Sequence, residues 1–157
     1  MSIFKRNNKA EPTWAEPKPI TPTWFDVAKK EIGVKEKRGG ENPRIIEYHD
    51  TTTLSADEDE ISWCSSYINW CFKQVKIKGT NSAAARSWLN WGVTLDEPKA
   101  GCVVVFWRES RTSWKGHVAF LDRIEGDRVF VLGGNQSDAV NVSSYPLEQV
   151  LGYRWPT

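Results

Sequence analysis

Four side chains in this sequence have the types and the order of a nucleophilic site. Cys64 stands near the start of a helical pattern, His117 opens a strand-like run, and Asn135 and Gln136 end the next such run. A cysteine nucleophile needs a base to take its proton, and the base needs a partner that fixes its tautomer. We therefore expect Cys64 to be the nucleophile, His117 the base and Asn135 the orienting amide, with Gln136 as the alternative to Asn135.

The helix that must position the cysteine is indicated by apolar side chains at helical spacing. They are Cys64, Tyr67, Ile68, Cys71, Phe72 and Val75. Ser62 is predicted as the N-cap, which places Cys64 in the first turn. Unpaired N–H groups and the positive end of the helix dipole favour a thiolate there. The same position also suits a buried structural cysteine.

An amide-cleaving site also needs a donor for the developing oxyanion. The backbone N–H of Cys64 is one candidate, because it points out of the helix terminus. A side-chain donor from Tyr48 or His49 is another, and the sequence does not choose among them.

Three short motifs resemble those of a known family. They are the Trp-Cys pair at 63–64, Gly-His-Val at 116–118 and Gly-Gly-Asn-Gln at 133–136. In this order they resemble the CHAP-type peptidoglycan amidohydrolases, whose wider relatives are the NlpC-type cell-wall peptidases of the papain-like superfamily. The resemblance runs from about Thr23 to Pro156. It departs from the family at Cys102, where relatives commonly have an acid.

The resemblance implies a peptidoglycan hydrolase that cleaves an amide bond of the stem peptide through Cys64, His117 and Asn135. Such an enzyme is either an N-acetylmuramoyl-L-alanine amidase or an endopeptidase. Two other functions remain open: a non-catalytic module that binds wall fragments or a protein partner, and an acyltransferase on the same fold.

Four residues are predicted to contact the substrate. Trp63 adjoins the cysteine, Gln136 ends the last motif, and Trp114 lies in a polar loop just before the histidine. Glu36 belongs to a Gly-x-x-Glu pattern that recurs in the resembling family, and it either fixes its loop or contacts substrate. Most of the nine tryptophans are expected in the core or the cleft wall.

Composition excludes several classes of protein. Lys plus Arg number 21 against 20 for Asp plus Glu, whereas a nucleic-acid binder usually shows a basic excess. No apolar run approaches the roughly 20 residues that span a bilayer, so no membrane insertion is expected. We expect a monomer whose partner is peptidoglycan, with an immunity or lysis protein left open.

No metal, cofactor or disulfide is expected. Cys64 and Cys71 are about 10 Å apart along a helix, too far for a bridge, and Cys102 is interpreted as a buried packing thiol. His49 and His117 are the only histidines and there is no Cys-x-x-Cys, so zinc is poorly supported. Some relatives bind calcium, but the acidic run at 57–60 lacks the spacing and glycine of a calcium loop.

The chain divides into two parts. Residues 1–22 are predicted to form a proline-rich arm that is extended, mobile or laid on the surface, and residues 23–157 are predicted to form a single papain-like catalytic domain. No signal-peptide core is present. We therefore expect synthesis in the cytoplasm and action on the cell wall after lysis-linked release, or delivery by a secretion or phage apparatus.

Helical patterns precede strand patterns, which predicts an α+β fold. Thr23, Asn42, Ser62 and Ser82 are the predicted N-caps of four helices. Strands are predicted at 102–107, 117–124, 128–132, 139–145 and 152–155. The cysteine helix should pack against the resulting antiparallel sheet.

Overall fold

The computed structural model describes residues 21–37, 42–53 and 62–157, and within them helices precede strands as the sequence predicts. The α-helices are α1 (Thr23–Lys30), α2 (Pro43–His49) and α3 (Cys64–Gln74). The strands are β1 (Val93–Thr94), β2 (Val103–Trp107), β3 (Gly116–Glu125), β4 (Arg128–Gln136), β5 (Ala139–Pro146) and β6 (Val150–Trp155). Two 3₁₀ helices, Ala85–Asn90 and Leu147–Gln149, complete these elements.

The six strands form one antiparallel sheet in the order β1-β6-β2-β3-β4-β5. Strands β3 and β4 are joined at Gly126 and Asp127, where Gly126 adopts a φ of +57°. Helix α3 packs against β3 and β4. This arrangement confirms the predicted α+β fold with the cysteine helix on an antiparallel sheet.

The sheet is covered on both faces. Val103 and Val105 of β2 point into the larger core beneath the helices, while Val104 and Phe106 point into a smaller core on the other side. All four side chains are buried. The uninterrupted apolar run of this strand is therefore explained by burial on both faces.

Phe72 of α3 lies at the centre of the larger core. Its ring centroid is 5.4 Å from that of Trp24, 5.5 Å from Phe120 and 4.8 Å from Trp91. Aromatic side chains bury large areas, so this cluster ties α1, α3 and β3 together and fixes the helix that carries Cys64.

The helix caps were predicted with mixed success. Asn42 caps α2, with its side chain accepting from the N–H of Arg44 at 2.9 Å. The predicted caps Thr23 and Ser62 are wrong, because neither occupies the N-cap position and neither side chain caps its helix. Ser82 accepts from the N–H of Ala84, one residue before the 3₁₀ helix begins.

The three cysteines are all free and buried. Burial raises the pKa of Cys102 to about 11 and that of Cys71 well above its usual range. The interpretation of Cys102 as a packing thiol is confirmed.

Two other predictions fall largely outside the described residues. The acidic run at 57–60 and all of the arm except Thr21 and Pro22 lie there, so the domain boundary stays a prediction. In the part of the chain that is described, no helix is both long and apolar enough to cross a membrane. Those same residues hold no cluster of three His, Cys, Asp or Glu side chains suited to a metal ion.

Candidate active site

Cys64 is the first residue of α3 and so lies in the first turn, as predicted, although the N-cap is Trp63 and not Ser62. Its backbone N–H belongs to the first turn and has no acceptor within the helix. The thiol is buried near the start of β3, and the backbone of Val118 there helps to lower its pKa. The helix terminus and the strand therefore meet at the sulfur.

The surroundings of Cys64 favour the thiolate. Burial by itself raises the pKa of the thiol, but hydrogen bonding and charge from His117 oppose it, aided by the Ser62 hydroxyl and Val118 N–H. The net effect lowers the pKa of Cys64 from 9.0 to about 7. Cys71 on the same helix shows the opposite shift, so Cys64 is the thiol suited to nucleophilic attack.

His117 is the second residue of β3 and lies opposite Phe106 of β2 in the sheet register. Its imidazole is buried between two aromatic rings. The centroid of Phe106 is 6.1 Å away at an interplanar angle of 27°, and that of Tyr145 from β5 is 5.2 Å away. These rings hold the imidazole in one orientation.

Gln136 contacts the imidazole directly. Its Oε1 lies 3.0 Å from Nε2 of His117, while its own Nε2 donates to the carbonyl oxygen of Asn141 at 2.7 Å and to Oδ1 of Asn141 at 3.0 Å. These two acceptors fix the carboxamide with its oxygen towards the histidine. Nε2 of His117 must therefore be the protonated nitrogen.

The other ring nitrogen, Nδ1 of His117, is left for the thiol. It is buried, and among the described residues it has no hydrogen-bond partner. With the proton held on Nε2, Nδ1 carries a lone pair next to Cys64. This is the tautomer that a general base for the thiol requires.

A bulge explains why Gln136 reaches His117. The register between β4 and β5 shifts between Gly133 and Gln136, and Asn135 adopts a left-handed φ of +57°. A bulge reverses the normal alternation of side chains along a strand. The carboxamide of Gln136 thereby lies over Gly133, where a Cβ would come within 2.8 Å of Oε1.

Gly134 allows the end of β4 to approach α3. A Cβ at this position would lie 2.7 Å from the Trp63 ring and 2.9 Å from Cβ of Tyr67. The two glycines of the motif therefore have separate functions: Gly133 leaves room for the orienting amide, and Gly134 brings the strand against the helix terminus.

Asn135 does not contact His117, so the predicted contact is wrong. Its Nδ2 donates to Oγ of Ser62 at 3.1 Å, and Ser62 in turn donates to Sγ of Cys64 at 3.2 Å. The left-handed backbone turns the Asn135 side chain towards the helix while Gln136 turns towards the histidine. The contact expected of Asn135 is made by its neighbour.

Trp63 was predicted to contact substrate, and this prediction is wrong. The side chain is only 1% exposed and stacks on Tyr48 at a centroid distance of 5.9 Å. Its indole N–H donates to Oε1 of Glu36 at 2.5 Å. Glu36 is exposed and its backbone N–H donates to the Asp138 carbonyl, so it fixes the loop and the indole together.

Gln136 was also predicted as a substrate contact, but it is only 2% exposed and its amide is already bonded to His117 and Asn141.

Tyr48 and His49 were the candidate side-chain donors to the oxyanion. Tyr48 is fully buried and its hydroxyl donates to Glu31 at 2.8 Å, so it is unavailable to an oxyanion. His49 is half-buried with Nδ1 3.1 Å from Oγ of Ser66, and burial lowers its pKa.

Trp114, another predicted substrate contact, is open to solvent, with 80% of its surface exposed. Its loop precedes β3 and is held by the guanidinium of Arg86. That guanidinium donates to the carbonyl oxygens of Ser110, Arg111 and Lys115 at 2.7–2.9 Å. A braced loop thus presents the indole three residues before His117.

Sequence reasoning missed three contributors to the site. Ser62 stands two residues before the cysteine but was interpreted as a cap rather than a partner of the sulfur. Asn141 and Tyr145 come from β5, and their contacts with Gln136 and His117 depend on the β4–β5 register. Pairing the two strands across residues 137 and 138 would have indicated Asn141.

A family model, the CHAP domain, matches residues 56–135 of this chain. The match includes Cys64, His117 and Asn135, and Gln136 lies one residue beyond it. No curated protein matches the chain.

A solved P60 domain shares the fold of this chain at low sequence identity. The P60 domain of an antigen from Mycobacterium avium subspecies paratuberculosis has a TM-score of 0.51 and 14% identity, over 85% of this chain and 91% of that one. The NlpC/p60 domain of the peptidoglycan hydrolase SagA has a TM-score of 0.48 and 17% identity, over 85% and 96%.

A lipoprotein-like protein of the NLP/P60 family from Staphylococcus aureus subsp. aureus Mu50 has a TM-score of 0.47 and 18% identity over 91% of this chain. This chain spans 45% of the length of that protein. Because the CHAP match covers just over half of the sequence and contains the Cys64 and His117 motifs, the chain belongs to the CHAP domain family.

Proposed function

We propose that this protein is a peptidoglycan hydrolase that cleaves an amide bond of the stem peptide, with Cys64 as nucleophile, His117 as base and Gln136 as orienting residue. The observation that carries the proposal is the fixed tautomer of His117, whose free Nδ1 adjoins a thiol of lowered pKa. Membership of the CHAP family supports peptidoglycan as the substrate.

In the first half of the reaction, Nδ1 of His117 takes the thiol proton and Sγ of Cys64 attacks the carbonyl carbon of the amide. A carbon–sulfur bond forms and the carbonyl oxygen becomes an oxyanion. The imidazolium then returns its proton to the amide nitrogen as the carbon–nitrogen bond breaks. The amine leaves and the acyl group remains on Cys64 as a thioester.

In the second half, water attacks the thioester carbonyl while Nδ1 of His117 takes one of its protons. The carbon–sulfur bond breaks, a carboxylic acid leaves, and the proton returns to the sulfur. Throughout both halves Nε2 of His117 keeps its proton and donates a hydrogen bond to Oε1 of Gln136, which stabilises the imidazolium whenever it forms.

The backbone N–H of Cys64 is our proposed oxyanion donor. It is at the first position of α3 and has no intrahelical acceptor. The helix dipole adds a positive potential at the same place. An oxyanion-hole donor is typically worth about 3 kcal/mol of barrier, so this group is a substantial part of the machinery.

Trp114 is our proposed substrate contact outside the reacting groups. The exposed indole is on a loop that Arg86 already holds in place, so it can pack on a substrate group with little loss of loop conformational entropy. Glu36 presents an exposed carboxylate beside Trp63, next in sequence to the nucleophile, and is proposed to contact polar groups of the same substrate.

The experiment that tests the function is mass spectrometry of soluble products from purified sacculi. Free stem peptides without sugar would identify an N-acetylmuramoyl-L-alanine amidase, and shortened cross-links would identify an endopeptidase. Products that carry an added amine would instead indicate acyl transfer. Tight binding to sacculi without any product would contradict hydrolysis and favour a binding module.

A further inference from the structure

Ser62 connects the catalytic sulfur to a residue that has no contact with the catalytic histidine. Its Oγ lies 3.2 Å from Sγ of Cys64 and 3.1 Å from Nδ2 of Asn135. Cys64 and Asn135, which Ser62 connects, are 71 positions apart in the sequence: Cys64 is in the first turn of α3 and Asn135 is at the end of β4. The contact therefore exists only in the folded site.

The direction of these hydrogen bonds follows from the groups involved. The amide nitrogen of Asn135 can only donate, so the hydroxyl oxygen of Ser62 accepts from it. The single proton of Ser62 is then left for Sγ of Cys64, which as a thiolate can only accept. Asn135 thereby sets the orientation in which Ser62 acts as a donor to the sulfur.

The backbone at the end of β4 is shaped to permit this. Asn135 has a φ of +57°, a conformation that asparagine tolerates better than most residues. The adjacent Gln136 resumes pairing with Ala139 and turns its amide towards His117. Two consecutive amides thus serve the two reacting side chains separately.

We propose that Asn135 and Ser62 are positioning residues for the nucleophile, forming a donor chain in which Asn135 orients the Ser62 hydroxyl and Ser62 holds Sγ of Cys64 as a thiolate. This inference rests on the proposed role of Cys64 and adds a second support to it besides His117. A thioester sulfur is a poor acceptor, so the donor favours the thiolate both before attack and as the leaving group when the thioester is hydrolysed.

The donor chain can be tested without substrate by measuring the pKa of Cys64 from the ultraviolet absorbance of its thiolate as a function of pH, with Cys64→Ala as the baseline. Hydrogen bonds to charged groups are stronger than neutral ones, so we expect Ser62→Ala to raise the pKa of Cys64 by about one unit. Ser62→Thr keeps the hydroxyl and should leave the pKa unchanged. The titratable groups that face the thiol, His117 of β3 and Tyr145 of β5, are retained in every variant.

Asn135→Gly tests the role of Asn135 in the donor chain. Glycine accepts a positive φ, so the backbone should be kept while the amide donor is lost. We expect a smaller rise in the thiol pKa than in Ser62→Ala, and a fall in kcat with little change in KM. Ser66→Ala is the matched control, because Ser66 is on the same turn of α3 as Cys64 but its hydroxyl bonds His49 and not the sulfur.

An unchanged thiol pKa in both Ser62→Ala and Asn135→Gly, with thermal unfolding as in the wild type, would overturn the donor chain. A rise of equal size in Ser66→Ala would also overturn it, since the effect would then be one of general packing. If the pKa responds as expected but the wild type releases nothing from sacculi, the donor chain stands and the proposed hydrolysis fails.

Discussion

Oε1 of Gln136 lies 3.0 Å from Nε2 of His117, and the preceding Asn135 bonds Ser62 instead. The histidine is therefore oriented by a glutamine whose own amide nitrogen is held by Asn141. This pairing decides which lone pair of the imidazole is offered to Cys64, and it makes Gln136 the residue whose loss should most disturb the base.

We expect Gln136→Ala to lower kcat on peptidoglycan by about 100-fold, within the range that positioned acid–base catalysis contributes. KM should change little, because the side chain is buried and does not face the substrate. Steady-state kinetics with labelled sacculi would measure both. Gln74→Ala, at the end of α3, is a matched loss of a glutamine away from the site; equal kinetics in the two variants would contradict the orienting role.

The pH dependence of kcat/KM should report the thiol. The pKa of Cys64 is lowered to about 7, so the thiolate fraction rises as pH increases through that value. We expect kcat/KM to rise in parallel and then to level off below pH 9.0, the ordinary pKa of a cysteine. A profile that stays flat between pH 6 and 8 would show that thiolate formation does not control the rate.

Part of this site could be predicted from the sequence because it depends on local periodicity. The 3.6-residue spacing predicted the helix that carries Cys64, and the uninterrupted apolar run predicted β2. The Asn42–Pro43 cap followed from the preferences of these two residues at a helix start. Each of these features is set by neighbours within a few positions.

The predictions that were wrong concern side chains whose partners are set by tertiary contacts between distant segments. Asn135 and Gln136 are equivalent as orienting amides in sequence, and the bulge after Gly133 decides between them. Ser62 resembles a helix cap in the sequence. In the structure its hydroxyl donates to Sγ of Cys64 and accepts from Asn135 at the end of β4. Trp63 adjoins the nucleophile in sequence, yet Tyr48 and Gly134 enclose its ring.

Gly133→Ala should impair both stability and activity. Its Cβ would lie 2.8 Å from Cβ of Ala119 and 2.8 Å from Oε1 of Gln136, so the orienting amide must shift. Overpacking of this kind typically costs about 1–3 kcal/mol of unfolding free energy. We expect a lower Tm by calorimetry together with a reduced kcat.

Gly152→Ala is the matched control, since its Cβ would meet only Cδ2 of Leu89 at an ordinary 3.5 Å. It should leave Tm and kcat near their wild-type values. Full activity in Gly133→Ala would mean that the space left by this glycine is not needed to position Gln136.

Trp114→Ala should affect substrate use and leave the fold intact. The indole is 80% exposed, and surface substitutions usually change stability by less than about 0.5 kcal/mol. We expect an unchanged Tm and a higher KM for sacculi. Val93→Ala, which removes an exposed apolar side chain from β1 at an edge of the sheet, should change neither. An unchanged KM in Trp114→Ala would remove this residue from the substrate site.

The measurement that tests the central claim most directly is the release of labelled fragments from sacculi by the wild type, Cys64→Ala and Cys102→Ala. All three cysteines are buried, but only Cys64 adjoins His117 and has a lowered pKa. We predict that the wild type and Cys102→Ala release fragments at similar rates and that Cys64→Ala releases none above background. Release by Cys64→Ala at the wild-type rate would contradict nucleophilic catalysis at this helix terminus.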